Sequence, residues 1–119
     1  RLAETIEIRR PLYMAWPYRP DLDWVIEAPD GRWVSNCIMW FDEVNGVGTL
    51  EPVGTDADFR RQGFGAAVCI AALHALKAAG AVEARVGARG DDAYPVPRQV
   101  YQSIGFRPFT RDLVYLRAR

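Results

Sequence analysis

Apolar and polar positions change their period several times along the chain, and each change marks a predicted element. Leu22 to Ala28 predicts a strand, Pro29-Asp30-Gly31 a turn, and Trp33 to Phe41, rich in large apolar side chains, a second strand that completes a hairpin. Asn45-Gly46-Val47-Gly48 predicts the next turn and Thr49 to Thr55 the next strand. Pro52 and Gly54 interrupt that strand, which predicts a bulge or an edge with unpaired backbone groups. From Gly65 to Ala79 almost every residue favours helix. The stretch is apolar nearly all round apart from His74 and Lys77, with Gly80 as its stop, so this helix is expected to lie against a sheet. Val82 to Ala88 predicts a strand, Gly90-Asp91-Asp92 a polar loop, Pro97 to Ile104 a short helix ended by Gly105, and Arg107 to Leu116 a closing strand. Ahead of the hairpin, Arg1 to Ile8 is compatible with helix. Pro11, Pro17 and Pro20 then predict an irregular connector bearing Tyr13, Trp16 and Tyr18. The order β-β-β-α-β-α-β, without an internal repeat, belongs to α+β or α/β sheets.

Length and composition narrow the class. With 119 residues, half of them hydrophobic and a quarter charged, the chain reads as a single globular domain, 1–119. Fifteen basic residues balance fifteen acidic ones, so no net field favours nucleic acid or an anionic membrane as partner. No apolar run approaches the roughly 20 residues of a membrane helix, and the N-terminus has no secretory pattern, so the expected location is cytoplasmic. Cys37 and Cys69 have neither metal nor redox spacing and are expected to be buried thiols, with no metal site.

Arg60-Arg61-Gln62-Gly63-Phe64-Gly65-Ala66 stands where a strand and its loop run into the long helix. Glycines there let backbone N–H groups approach a ligand, the helix dipole adds partial positive charge and the arginines add whole charges: a cradle for phosphate or pyrophosphate, or else simply a tight basic turn. Two nucleotide motifs do not fit. A dinucleotide fingerprint needs a third glycine where Val68 stands, and a P-loop needs Gly-Lys-Ser/Thr where the chain has Gly-Phe-Gly.

The arrangement resembles the GNAT superfamily of acyl-CoA N-acyltransferases, whose signature Arg/Gln-x-x-Gly-x-Gly/Ala is met by Arg60, Gly63 and Gly65. A second family signature, Tyr-x-x-x-Gly-Phe, is met by Tyr101 to Phe106 downstream. The resemblance covers roughly Leu22 to Leu116 and implies a mixed, mostly antiparallel sheet flanked by helices. It implies acetyl-CoA as co-substrate, with Arg60, Arg61, Gln62, Gly63, Phe64, Gly65 and Ala66 around its pyrophosphate. Val53, Gly54 and Thr55 would offer backbone to the pantetheine arm where two strands splay. It further implies Tyr101 as the acid that protonates the leaving thiolate, and a strand carboxylate, here Glu51, as the base that deprotonates the amine. Asp42 and Glu43 are the alternative bases. His74 falls roughly 15 Å along the helix from its phosphate-binding end and is expected to be a helical surface or packing residue. Trp16, Tyr18, Trp24, Trp33 and Trp40 are candidates for an acceptor pocket, or else core.

The chain departs from the pattern in two places. Tyr94 stands where many family members carry a cofactor-contacting asparagine, and the loop with Asp91 and Asp92 is longer and more acidic than usual. The family fold also begins with a strand and two helices, whereas about twenty residues precede Leu22. The expectation is therefore an N-terminally truncated core at 22–119, with 1–21 a connector or helix remnant, and either a missing N-terminal part or a homodimer. The function expected is N-acetyl transfer to a small-molecule or peptide amine by direct attack. A non-catalytic acyl-CoA-binding module, or a degenerate half of a tandem acetyltransferase, is the alternative.

Overall fold

The computed structural model describes residues 9–118. They fall into two compact units, Arg1–Gly87 and Ala88–Arg119, each described in its own frame. The helical reading of Arg1 to Ile8 lies outside the described residues.

In the first unit, residues 9–14 are helical (α1), so the connector predicted to be irregular opens with a helical segment that holds Pro11. A 3-10 turn at Pro20–Leu22 leads into β1 (Asp23–Glu27), then β2 (Trp33–Asp42), β3 (Val47–Thr55), a second 3-10 turn at Ala57–Phe59, α2 (Phe64–Ala78) and β4 (Glu83–Val86). The sheet runs β1-β2-β3-β4. The first two pairings are antiparallel and β3–β4 is parallel, the mixed and mostly antiparallel arrangement expected.

Two registers shape the sheet around the basic loop. Cys37 faces Val53 and Met39 faces Leu50, so β3 carries an extra residue around Glu51 and Pro52 opposite Ile38, which is the bulge that the proline predicted. The parallel pairing of β3 with β4 runs from Val47–Glu83 to Leu50–Val86 and stops there, while β3 continues to Thr55. The two strands therefore part at the bulge.

Side chains alternate across the sheet. Cys37, Met39 and Phe41 of β2 and Gly48 and Leu50 of β3 share the face covered by α2. There Leu76 lies so close over Gly48 that a Cβ added to the glycine would stand 2.3 Å from Leu76 Cδ2. Val68, Cys69, Ala72 and Leu76 are the buried stripe of α2. Both cysteines are buried and free, as expected. Contact with Cys69, together with burial, pushes the Cys37 thiol up and keeps it protonated.

Asp23 lies beside Ile38 on the opposite face, which the connector covers. Its carboxylate accepts from Arg9 Nη2 at 2.8 Å and from the Tyr18 hydroxyl at 2.6 Å. The Arg9 side chain is 7% exposed, and its Nε and Nη1 have no hydrogen-bond partner among the described residues. Its guanidinium lies instead over the rings of Tyr13 and Trp33, at 5.7 and 5.1 Å, where π faces stand in for acceptors. Burial first, and then the bond to Asp23, raise the Tyr18 phenol well above its ordinary range.

In the second unit, Val96–Ser103 forms α3. Gly105 takes φ +106, the Gly105 and Phe106 amides donate to Gln102 and Tyr101 carbonyls at 3.1 and 3.0 Å, and the Phe106 ring meets Tyr101 edge-on at 6.0 Å. This is a Schellman stop with its hydrophobic contact. The strand predicted at Arg107 to Leu116 does not form: these residues have no regular structure, and Phe109, Leu113, Val114, Tyr115 and Leu116 are largely exposed. Apolar β-formers give a strand only where a neighbouring strand pairs with them, and among the described residues this segment has none.

Candidate active site

Four pieces of the first unit converge after the point where β3 and β4 part. The first is the end of β3. Val53, Gly54 and Thr55 pair with Cys37, Asn36 and Ser35 of β2 on one side, and lie beyond the last β4 pairing on the other, so their backbone groups on that side are free of the sheet. Ser35 fixes this end: its hydroxyl donates to the Gly54 carbonyl at 2.9 Å and lies 3.0 Å from Thr55 Oγ1.

The second piece is the turn Ala57–Phe59, capped by Asp56, whose Oδ1 accepts from the Asp58 amide at 2.9 Å. Phe59 packs edge-on against Phe64 at 6.2 Å, while the Arg32 guanidinium covers the Phe59 ring at 4.9 Å and reaches Asp58 at 3.6 Å. This brace holds both ends of the basic loop. Nothing local in the sequence announces Arg32 as its partner, since it arrives from the β1–β2 turn.

The third piece is the loop itself. Arg61 holds φ +64, a left-handed conformation uncommon for a side-chain-bearing residue, and Gly63 holds φ +83 with open space where a Cβ would stand. Backbone held in such regions clusters at ligand-binding sites. Arg60, Arg61 and Gln62 are exposed.

The fourth is the start of α2. Gly63 is its N-cap and offers no side chain, so the first amides of the helix carry no cap. Gly65 lets this turn approach β3, with Thr55 Oγ1 only 3.3 Å from where its Cβ would be. Amides without a side-chain cap, the helix dipole and two exposed guanidiniums stand together here, and all three favour negative charge.

Glu51 is exposed at the bulge, and its carbonyl accepts from Trp40 Nε1. Of the alternative bases, Asp42 is spent on its own turn. It accepts from the Asn45 side chain at 2.7 Å and from the Val44 and Asn45 amides, and these bonds, the Asn45 side chain first, hold its carboxyl below the ordinary range. Glu43 pairs with Arg19 at 3.1 Å. His74 is exposed on α2. Tyr101 belongs to the second unit, where its carbonyl and ring build the stop of α3; Tyr94, Asp91 and Asp92 precede that helix, and Asp91 is paired with Arg89 at 2.7 Å. None of the five candidate aromatics belongs to the buried core. Trp33 lies under Arg9 and Trp24 donates to the Asp21 carbonyl, whereas Trp16, Tyr18 and Trp40 line an open groove.

Known structures share this architecture. AAC(6')-Iy, an aminoglycoside N-acetyltransferase solved in complex with CoA, matches with a TM-score of 0.68 at 19% identity, over 99% of this chain and 89% of that one. Glucosamine-6-phosphate N-acetyltransferase from Arabidopsis thaliana matches with a TM-score of 0.66 at 16% identity, over 95% and 77%. The ribosomal-protein-S18-alanine N-acetyltransferase from Escherichia coli matches with a TM-score of 0.60 at 24% identity, over 70% and 51%. At these identities the likeness is one of fold. No curated protein sequence matches the chain. The family model for acetyltransferases of the GNAT family matches residues 4–106, beginning well ahead of Leu22, from which the resemblance was expected to run. The chain thus belongs to the GNAT acetyltransferase family and is a GNAT-type N-acyltransferase.

Proposed function

We propose that this chain transfers an acetyl group from acetyl-CoA to a primary amine by direct attack. The observation that carries the reading is the parting of β3 from β4 after Leu50 and Val86, next to a bulge and ahead of an uncapped helix start. Bulge, backbone edge and basic helix start follow one another along the chain in the order in which the thioester end, pantetheine arm and pyrophosphate of the co-substrate would need them.

In this reading the amides of Gly63 to Ala66, with Arg60 and Arg61, hold the pyrophosphate. The β4-side backbone groups of Val53, Gly54 and Thr55 align the arm. Glu51, directly or through a water, takes the proton that an ammonium must lose before it can attack. Tyr101 supplies a proton to the sulfur as the C–S bond breaks; a phenol near 10 and a thiol near 8.5 are matched closely enough for that transfer within hydrogen-bond reach. Direct attack is supported by the burial of both cysteines, since a thiol sealed in the core cannot reach an acyl group. A cytoplasmic location is part of the same proposal.

Thiol release from acetyl-CoA, followed over a panel of primary amines, tests it. Amine-dependent release with recovery of the N-acetyl product is the expected outcome. Release that is independent of amine, or acetylation of the protein's own cysteines as an intermediate, would sink it.

A further inference from the structure

Resting on the acetyl-transfer reading, a second feature of the first unit bears on which amine is used. An open groove of about 1140 Å³ runs over the sheet face opposite α2, with Trp16, Tyr18 and Trp40 as its aromatic walls and Thr49 of β3 and Glu83 of β4 in its floor. It adjoins the reaction end, because Trp40, one of those walls, donates its indole N–H to the carbonyl of Glu51 at the bulge. Its volume exceeds the upper end of typical small-ligand sites, about 1,000 Å³, so it is roomy for a simple monoamine.

The walls are held in place from beneath. Tyr18 meets Trp40 edge-on at 6.2 Å and Tyr13 in a tilted pair at 5.3 Å, and its hydroxyl is fixed on Asp23, itself paired with the buried Arg9. Asp23 and burial keep that phenol neutral, so the wall presents a π face and no charge of its own. Trp16, the third aromatic of the groove, is 92% exposed, an unusual setting for so large an apolar side chain.

The charge on the groove leans one way. Asp42, Glu43 and Glu83 stand against Arg19 and Arg85, three carboxylates to two guanidiniums. Arg19 is further neutralised by Asp21, which takes both its Nε and its Nη2, at 3.0 and 2.7 Å. The Arg85–Glu83 pair is exposed and of little strength. Aromatic faces and surplus carboxylate both favour cations and disfavour anions.

We propose that this groove is the acceptor site and that it selects small amines carrying a second positive charge. One ammonium is presented toward the bulge for deprotonation, while another stays charged between the aromatic walls and the carboxylates.

The test titrates spermidine, and glucosamine 6-phosphate as an anionic amine, into the full chain by tryptophan fluorescence, without acetyl-CoA. Spermidine is expected to bind at least about 10-fold more tightly. Trp16→Ala and Glu83→Gln, both at exposed positions, should each weaken spermidine about 3-fold, as single exposed cation–π and ion-pair contacts do, and leave acetyl-CoA affinity unchanged. Equal or tighter binding of the anionic amine, or variants that bind spermidine like the parent, overturns the inference. Thiol release on the same proteins separates the two readings. Turnover with an amine whose KM ignores both substitutions removes the groove alone; spermidine binding without turnover of any amine removes acetyl transfer, and the acceptor role with it.

Discussion

Tyr101 builds a helix stop and is also the acid proposed above, and a single substitution separates the two. Its ring and carbonyl build the stop of α3 with Gly105 and Phe106, whereas the proposed chemistry uses only its hydroxyl. Tyr101→Phe should therefore keep the thermal midpoint while lowering kcat by about 100-fold or more, with little change in KM for acetyl-CoA, in steady-state kinetics. Unchanged kcat would leave Tyr101 a structural residue. The Tyr-x-x-x-Gly-Phe spacing was legible in part because it is helix-stop chemistry. Tyr18 makes a different prediction. Its folded pKa is raised above the unfolded value of about 10, so its contribution to stability is fully present below pH ~10 and is lost as pH rises beyond it. Urea unfolding repeated across that range should show stability falling on the alkaline side, and Tyr18→Phe should flatten the fall. A parent and variant with parallel alkaline profiles would contradict the raised phenol. This network was not legible, because Arg9, Tyr18 and Asp23 meet only when the connector folds over β1.

Strand β3 and helix α2 carry the site between them, and their contact is tight at one place. Gly48→Ala would drive a methyl into Leu76, which is 2% exposed and has nowhere to retreat, so a loss of about 1–3 kcal/mol is expected in denaturant unfolding. Gly48→Ala with Leu76→Ala should lose less than the sum of the two single changes, and full additivity would show that the contact is not there. At the other end of α2, replacing Arg60 and Arg61 together by alanine should weaken acetyl-CoA by about 1.5–3 kcal/mol for each charged hydrogen bond lost, measured by calorimetry. Unaltered affinity would move the pyrophosphate elsewhere. The ranges of these elements were readable to within a residue or two, since period, turn residues and helix formers agree there; Pro52 and Gly54 even marked the bulge. The segment 107–116 misled because β-propensity describes a residue's fit to a sheet and not the presence of a neighbour. The brace of Arg32, Phe59 and Phe64 was invisible for the opposite reason, being a contact between elements far apart in the chain.

For the whole chain, a sheet that opens on one side and a helix that starts at the opening are consequences of ordinary rules: a bulge bends one strand, a parallel partner ends, and a glycine leaves a helix uncapped. The family motif was legible in part because the chain needs glycine at two of its positions, for the positive φ of Gly63 and the close approach of Gly65 to Thr55. The groove was not, because Trp16, Trp40 and Glu83 meet only in the folded sheet. Acetyl transfer by this chain requires, before anything else, that the opening take an acyl-CoA. Acetyl-CoA, with ATP and NAD as controls, titrated calorimetrically into the purified chain should bind in the micromolar range while both controls stay weak. Binding of all three alike would mean an unspecific anion turn, and no binding of acetyl-CoA would contradict the cradle at Arg60 to Ala66.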